Sequence, residues 1–195
     1  MRLSPELLLA AYSQGVFPMG EHDGSISWYD PNPRALIPLD ERFHVPRSLA
    51  RRIRQGGFEI HVDRDFRQTM RACAEPAPGR ETTWITDEFV DVYSLLNQMG
   101  FAHSVETWID GELVGGLYGV ALGGLFAGES MFSRQSDASK IALVYLVERL
   151  RTRGFVLLDT QFTTNHLCRF GTYEISRAEY KRRLKLAMGV DASFV

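Results

Sequence analysis

The sequence contains little of what marks several common classes of protein. Among its 195 residues there are only two cysteines, Cys73 and Cys168, which argues against a disulfide scaffold and favours two reduced thiols. No run of about 18 apolar residues is present, so we expect no membrane-spanning helix. The first residues also lack the pattern of a secretory signal, since Glu6 directly precedes three leucines. We therefore expect a cytoplasmic protein.

Motifs of several catalytic classes are absent as well. There is no Walker-type glycine-rich loop and no G-x-G-x-x-G after a strand, and the five histidines show no metal-ligand spacing. Ser130 lacks the following glycine of a nucleophile elbow, so a hydrolase is not indicated. We expect neither a metal nor a cofactor. Because the net charge is −2, any nucleic-acid binding must come from a local basic surface.

What the sequence does contain is a regular order of strands and helices within an ordinary globular composition. A strand at 104–109 ends at Asp110-Gly111, the strongest hairpin signal in the chain. The elements that follow are a return strand at 112–120, a strand at 125–131, a helix at 136–153 and a strand at 155–161. This order predicts a mixed sheet with one crossover, and therefore an α+β (mixed α/β) fold.

Acid and amide groups stand where the last two of these strands end. A crossover would lay the strands side by side, so Glu129, Asp159 and Gln161 would line one crevice. Asp159 and Gln161 are two residues apart on a strand and should face the same way. Such a pair can orient a nucleophile and polarise a carbonyl, which suits a substrate that arrives already activated. The alternative is that these are two solvated strand ends.

The N-terminal part of the chain is predicted to add helices, a strand and a basic surface. Ser4 and Pro5 start the first helix, and residues 35–39 form a short edge strand, because Pro38 cannot donate to a ladder. Residues 75–81 hold two prolines and a glycine, so they form a loop and a candidate subdomain boundary.

The basic surface comes from the helix at 46–55, which has no acidic residue. Arg47, Arg51 and Arg54 are spaced i, i+4 and i+7 and share one face, which favours binding of a phosphate backbone. The alternative is a solvated helix face. A second row near the next helix consists of Arg64, Arg67 and Arg71.

Nine stretches, spread in order over nearly the whole chain, carry a resemblance to a known family. They are Gly15-Val16-Phe17-Pro18-Met19-Gly20, Pro31-Asn32-Pro33-Arg34, Phe43-His44-Val45-Pro46-Arg47-Ser48-Leu49, Thr83-Trp84-Ile85-Thr86, Ala102-His103-Ser104-Val105-Glu106, Gly115-Gly116-Leu117-Tyr118-Gly119-Val120, Gly128-Glu129-Ser130-Met131-Phe132-Ser133, Ala138-Ser139-Lys140 and Asp159-Thr160-Gln161. In these stretches the chain resembles the leucyl/phenylalanyl-tRNA–protein transferases, which move an amino acid from aminoacyl-tRNA onto the N-terminal α-amine of a protein.

The resemblance implies a fold and a division of the chain. It implies a small N-terminal α/β domain at 1–74, which carries the basic tRNA-facing helix, and a C-terminal catalytic domain of the acetyltransferase (GNAT-like) type at 75–195. We expect a monomer, because no coiled-coil pattern or large apolar repeat is present.

The resemblance also implies roles for individual residues. Asp159 and Gln161 match the catalytic acid–amide positions, and Glu129 matches the position that holds the acceptor's N-terminal end. Trp28 matches an aromatic position near the terminal adenosine. The positions that match the wall of the amino-acid pocket are Trp84, Leu117, Phe126, Met131, Leu146 and Leu158. Those that match tRNA-contacting basic positions are Arg47, Arg51 and Arg54.

Several residues depart from the family pattern. Leu146 replaces an expected aromatic residue, Leu117 a common methionine and Thr160 a cysteine, and the segment at 169–172 also differs. Pocket changes of this size shift discrimination by about 1–3 kcal/mol. The preference among leucine, phenylalanine and methionine therefore stays open.

The resemblance implies transfer of leucine, phenylalanine or methionine from aminoacyl-tRNA to proteins that begin with Arg or Lys, which marks them for degradation by the N-degron pathway. Two alternatives compete with it. An N-acyltransferase that uses acyl-CoA would need a glycine-rich turn for the pyrophosphate, but residues 131–138 contain no glycine. A non-catalytic RNA-binding module would use the arginine rows and leave Asp159 without a role.

Overall fold

The computed structural model describes residues 3–21, 23–77 and 81–195. A seven-stranded sheet with helices on both faces forms the body of the protein, and a separate two-stranded hairpin lies near its N-terminus. The predicted loop at 75–81 includes Pro78, Gly79 and Arg80, which lie outside the described residues. None of the helices in the described ranges has the length and apolar character needed to cross a membrane.

The helices are α1 Pro5–Ser13, α2 Arg47–Gln55, α3 Phe66–Ala74, α4 Asp87–Gln98, α5 Ala138–Thr152, α6 Asn165–Cys168 and α7 Arg177–Ala187. The predicted cap of the first helix is confirmed, because the Ser4 side chain accepts a hydrogen bond from the Leu7 amide. Ser176 caps α7 in the same way through the amide of Glu179. Side chains placed close to the backbone thus set where these helices begin.

The strands are β1 Phe17–Gly20, β2 Ile26–Tyr29, β3 Arg34–Ile37, β4 Glu59–Val62, β5 Ala102–Ile109, β6 Glu112–Leu122, β7 Leu125–Ser133, β8 Leu157–Gln161 and β9 Tyr173–Ile175. The large sheet has the order β4-β5-β6-β7-β8-β3-β9. Its described pairs are antiparallel except β7–β8, which is parallel with α5 between the two strands. The predicted mixed α/β fold is confirmed, including the antiparallel strands followed by one strand–helix–strand crossover.

The predicted hairpin between β5 and β6 is confirmed. Asp110 and Gly111 both have positive φ, 52° and 79°, which is the conformation of a two-residue turn of type I′. Ile109 and Glu112 pair directly on either side of this turn.

The prediction of an edge strand at 35–39 is wrong. β3 lies inside the sheet, where it pairs with β8 on one side and with β9 on the other. It ends at Ile37, so Pro38 follows the ladder and its missing N–H interrupts no strand pairing.

Strands from both halves of the chain share this sheet. β3 and β4 precede residue 75, yet they pair with β8 and β5, which follow it. The division into domains at 1–74 and 75–195 stays a prediction.

Two apolar clusters form the core. One contains Tyr12, Phe89, Tyr93 and Leu184 from α1, α4 and α7. The other is built around α5 and includes Leu146 and also Leu49 of α2. Burial of apolar side chains in these clusters fixes the helices against the sheet.

The sheet opens at one point, between β7 and β8. Their parallel pairing covers three positions and ends at Ala127 and Asp159. Beyond these residues the strands no longer pair, so 128–133 of β7 and the end of β8 border a gap. This divergence creates the space for the candidate site.

Candidate active site

A cavity of about 820 Å³ occupies the gap between β7 and β8. Its volume lies within the range of sites that bind small molecules. The lining joins polar groups, among them Glu129 and Gln161, to a wall of apolar side chains. A crevice is therefore present at these strand ends, as predicted, but Glu129 and Gln161 line it and Asp159 does not.

A bulge in β7 places Glu129 in this cavity. Tyr118 pairs with Ser130 and Gly119 pairs with Gly128, so Glu129 is the extra residue between two pairs. Gly119 permits the close approach of the strands here, because a Cβ at this position would lie 2.3 Å from the Ala127 carbonyl oxygen. The bulge thus depends on the glycine opposite it.

Two polar groups lie next to the Glu129 carboxyl. Gln161 Nε2 donates to Glu129 Oε1 over 3.1 Å. The second neighbour is the hydroxyl of Tyr12, which lowers the pKa of the carboxyl and is hydrogen-bonded to the hydroxyl of Tyr93. Burial raises the pKa of Tyr12 well above its ordinary value, so this hydroxyl keeps its proton and can donate.

The surroundings raise the pKa of Glu129 from an ordinary 4.5 to about 8. Burial of the carboxyl is the largest cause, and the negative charge of Asp159 adds to it. The hydroxyl of Tyr12, the hydrogen bond from Gln161 and the charge of Arg34 oppose this shift. The residue as a whole is only half-buried, because part of it faces the cavity, but protein surrounds its carboxyl.

Asp159 lies behind the cavity in a buried ion pair. It is 0% exposed, and Arg34, which is 1% exposed, binds it through two nitrogens. Arg34 Nη2 donates to Oδ2 over 2.6 Å and Nε donates to Oδ1 over 2.9 Å. Tyr180 adds a hydrogen bond to Oδ2 over 2.8 Å. With both oxygens occupied in this way, Asp159 is suited to orient its neighbours rather than to meet a substrate.

Gln161 forms a strained turn beside this carboxylate. Its φ is 60°, and the Phe162 amide donates to the Thr160 carbonyl over 2.6 Å, which is the hydrogen bond of a γ-turn. The Gln161 amide N–H donates to Asp159 Oδ1 over 2.9 Å. The expectation that Asp159 and Gln161 face the same way is wrong, because the positive φ ends strand alternation and only Gln161 lines the cavity.

The apolar wall contains most of the residues predicted for the amino-acid pocket. Trp84, Leu117, Met131, Leu146 and Leu158 all line the cavity. Further lining residues that sequence reasoning missed are Ile37, Leu143 and Leu167. An apolar side chain of medium size would bury its surface against this wall.

Phe126 and Trp28 do not line the cavity. Phe126 is fully buried in the cluster around α5, where it stacks on Phe194 with ring centroids 5.2 Å apart. Trp28 is 37% exposed on β2, in the small hairpin. Neither side chain belongs to the wall that the structure describes.

The predicted basic face on α2 is present. Arg47, Arg51 and Arg54 are all exposed, whereas Leu49 of the same helix is buried in the cluster that also contains Leu146. The basic helix is thus packed against the same cluster as the apolar wall. The second arginine row is partly neutralised, because Arg67 pairs with Asp91 over 2.6 Å.

Arg34 and Tyr180 are the functional candidates that sequence reasoning missed. Arg34 directly precedes the predicted strand at 35–39, and this position could have indicated its role. An arginine that is buried in a sheet nearly always has a carboxylate partner, so such a partner could have been sought. Tyr180 offered no such signal, because an aromatic residue on a helix is ordinary core.

A carboxyl, an amide and an apolar wall line one cavity where the parallel strands diverge, and this arrangement suits an enzyme that aligns an activated apolar group with a nucleophile. The family comparison is more specific. The family model described as leucyl/phenylalanyl-tRNA protein transferase matches residues 36–185, and the model of that family's N-terminal domain matches residues 1–32. The chain belongs to the leucyl/phenylalanyl-tRNA–protein transferase family.

Curated relatives agree with this assignment. A leucyl/phenylalanyl-tRNA–protein transferase of Herpetosiphon aurantiacus is 63% identical over 99% of this chain and 98% of its own length. A protein of the same name from Gloeobacter violaceus is 54% identical over 98% and 97%. Among solved structures, L-PGS from Bacillus licheniformis matches 82% of this chain and 59% of its own at 19% identity, with a TM-score of 0.47. This structural likeness is too low to support an argument.

The raised pKa of Glu129 predicts a pH-dependent stability. The folded protein binds a proton here up to about pH 8, whereas the unfolded chain releases it near its ordinary pKa, so stability falls as pH rises between these values. Glu129→Gln should remove this loss and gain about 2 kcal/mol relative to the wild type between pH 6 and pH 8. Urea unfolding at both pH values measures the difference.

Glu148→Gln, on the exposed side of α5, is the matched control and should show no such gain. If the Glu129→Gln protein shows the same pH dependence as the wild type, Glu129 does not carry the raised pKa.

Proposed function

We propose that the protein transfers leucine or phenylalanine, with methionine as a further substrate, from aminoacyl-tRNA to the N-terminal α-amine of proteins that begin with Arg or Lys. Transfer marks these proteins for degradation by the N-degron pathway. One observation carries the proposal: a single cavity joins the Glu129–Gln161 pair to an apolar wall. Membership of the transferase family supports it.

The donor uses the apolar wall and the basic helix. The amino-acid side chain lies against Leu117, Leu146 and Leu158, and the ester carbonyl points towards Gln161. The tRNA phosphates contact Arg47, Arg51 and Arg54 on α2, in agreement with the exposure of these arginines. Trp28 stays a proposed contact near the terminal adenosine, whereas Phe126, which is fully buried, would support the wall without contacting the donor.

The acceptor amine binds beside the Glu129–Gln161 pair. An α-ammonium group has an ordinary pKa of about 7.7–8.0, and the pKa of Glu129 is about 8. Because these values match, Glu129 can exchange a proton with the ammonium group near pH 8 and leave the amine as a nucleophile. When Glu129 is ionised, its negative charge also favours an N-terminal Arg or Lys over an uncharged residue.

The reaction then needs alignment more than activation. The amine nitrogen bonds to the ester carbonyl carbon, the ester C–O bond breaks, and the terminal ribose oxygen of the tRNA leaves with a proton. The ester is already energy-rich, so holding the two substrates together contributes up to about 7–11 kcal/mol of the barrier reduction. Asp159 acts here as an orienting group, since Arg34 and Tyr180 occupy its oxygens.

The cytoplasm is the proposed place of this reaction, because aminoacyl-tRNA is made and used there. We propose a monomer, since the polar pair and the apolar wall of the cavity come from one chain. An acyl-CoA donor is less consistent with the site, because residues 131–138 supply no glycine turn for a pyrophosphate.

The proposed activity predicts a defined pattern of label transfer. Labelled Leu-tRNA or Phe-tRNA should label a peptide that begins with Arg, and should leave a peptide that begins with Asp unlabelled. Labelled acetyl-CoA should transfer nothing. Gln161→Ala should lower kcat by about 100-fold, because the amine loses its orienting amide.

Ribonuclease treatment of the donor is the control and should abolish the transfer. Label that arrives from acetyl-CoA, or a Gln161→Ala rate within twofold of the wild type, would contradict the proposal.

The basic face of α2 predicts a salt dependence. Each of Arg47→Ala, Arg51→Ala and Arg54→Ala should weaken tRNA binding and reduce the slope of log K against log salt by about one or less. Filter binding from about 50 to 200 mM salt measures this slope. Arg67→Ala is the control, because Asp91 already neutralises this arginine; equal effects from all four variants would remove α2 from the tRNA site.

A further inference from the structure

We propose that Arg34 is a positioning residue of the transfer site, which acts through Asp159 to hold the strained turn at Gln161. The inference rests on the proposed function, because it assigns Arg34 a part in the same reaction. Arg34 is not among the residues that line the cavity, so its effect on transfer must pass through its neighbours.

The turn at Gln161 must be stabilised by contacts with other residues. Its φ of 60° is unfavourable for a residue that carries a side chain, and such conformations persist only where surrounding contacts impose them. The contact that meets this need is the bond from the Gln161 amide N–H to Asp159 Oδ1, over 2.9 Å. The side chain of Gln161 leaves the strand at this turn and reaches Glu129.

Arg34 fixes the carboxylate that makes this bond. Its Nε and Nη2 bind the two oxygens of Asp159 as a fork, which sets the rotation of the carboxyl group as well as its position. The guanidinium itself is held between two rings, with its central carbon 4.9 Å from the centroid of Phe17 and 4.3 Å from that of Tyr180. A lysine could supply the charge but not the fork.

A further hydrogen bond connects Arg34 to the residue pair that follows α1, the helix that approaches Glu129 from the other side. Arg34 Nη1 donates to the Gly15 carbonyl over 2.9 Å, just after α1. That helix carries Tyr12, whose hydroxyl lies next to the Glu129 carboxyl and lowers its pKa. One buried guanidinium therefore contacts both the carboxylate that holds the turn at Gln161 and the residue that follows the helix carrying Tyr12.

The test compares Arg34→Lys with Arg42→Lys. Arg42 also binds an aspartate through a fork, Asp40, but on the surface, so the second variant makes the same chemical change away from the site. Steady-state transfer is measured with Leu-tRNA and a peptide that begins with Arg, and circular dichroism verifies folding at the assay temperature.

For Arg34→Lys we expect kcat to fall at least about tenfold while KM for both substrates stays within about twofold, because substrate contacts remain and alignment is lost. Arg42→Lys should match the wild type.

A purely structural role for Arg34 predicts a different result. In that case Arg34→Lys would lower the unfolding temperature, but the folded fraction would keep a kcat within twofold of the wild type, and the inference would be overturned. An equal fall in kcat for Arg42→Lys would overturn it as well.

Tyr180→Phe keeps the inference testable if Arg34→Lys does not fold. It removes the hydrogen bond from the Tyr180 hydroxyl to Asp159 Oδ2 and the one that this hydroxyl accepts from Arg34 Nη2, and it leaves the ion pair and the ring in place. We expect kcat to fall about threefold with KM unchanged, and an unchanged kcat would count against the inference. If the wild type itself transfers no leucine, the proposed function fails first and the inference fails with it.

Discussion

The buried ion pair between Arg34 and Asp159 is the contact on which the rest of the site depends. Two charges without solvent are costly unless their geometry and further hydrogen bonds satisfy them. Here the fork of Arg34, the hydroxyl of Tyr180 and the amide of Gln161 complete the coordination of one carboxylate. The ion pair therefore fixes the orientation of the Asp159 carboxylate. In the proposed site this carboxylate orients Gln161 and does not contact a substrate.

The cavity follows from how the sheet is built around this pair. β7 and β8 stop pairing at Asp159, a bulge turns Glu129 into the gap, and a γ-turn turns Gln161 towards it. Each of these is an irregularity in a strand, and each costs stability locally. The acyl donor is already activated, so the protein needs these irregularities only to align the two substrates.

The sequence predicts well those features that depend on neighbouring residues. The Asp110-Gly111 hairpin, the Ser4 cap and the strand–helix–strand unit around α5 are all found in the structure. The five wall residues that line the cavity came from the family resemblance, since no periodicity distinguishes a pocket from a core.

Features that depend on distant residues escape such reasoning. Arg34 and Asp159 are 125 positions apart, and nothing local to either indicates the other. The insertion of β3 between β8 and β9 is equally non-local. The prediction of an edge strand is wrong because it includes Pro38, which lies after the end of β3. Phe126 has the same apolar character as the wall residues. It differs from them in being packed against Phe194, away from the lining of the cavity.

A double-mutant cycle between Asp159 and Gln161 tests the central claim most directly. The claim is that Asp159 contributes to transfer only by aligning Gln161. Once the Gln161 side chain is gone, Asp159→Asn should cost almost nothing further, so kcat/KM of the double variant should equal that of Gln161→Ala within about threefold. If the two losses multiply instead, Asp159 acts on the reaction independently of Gln161, and the account of the site given above is contradicted.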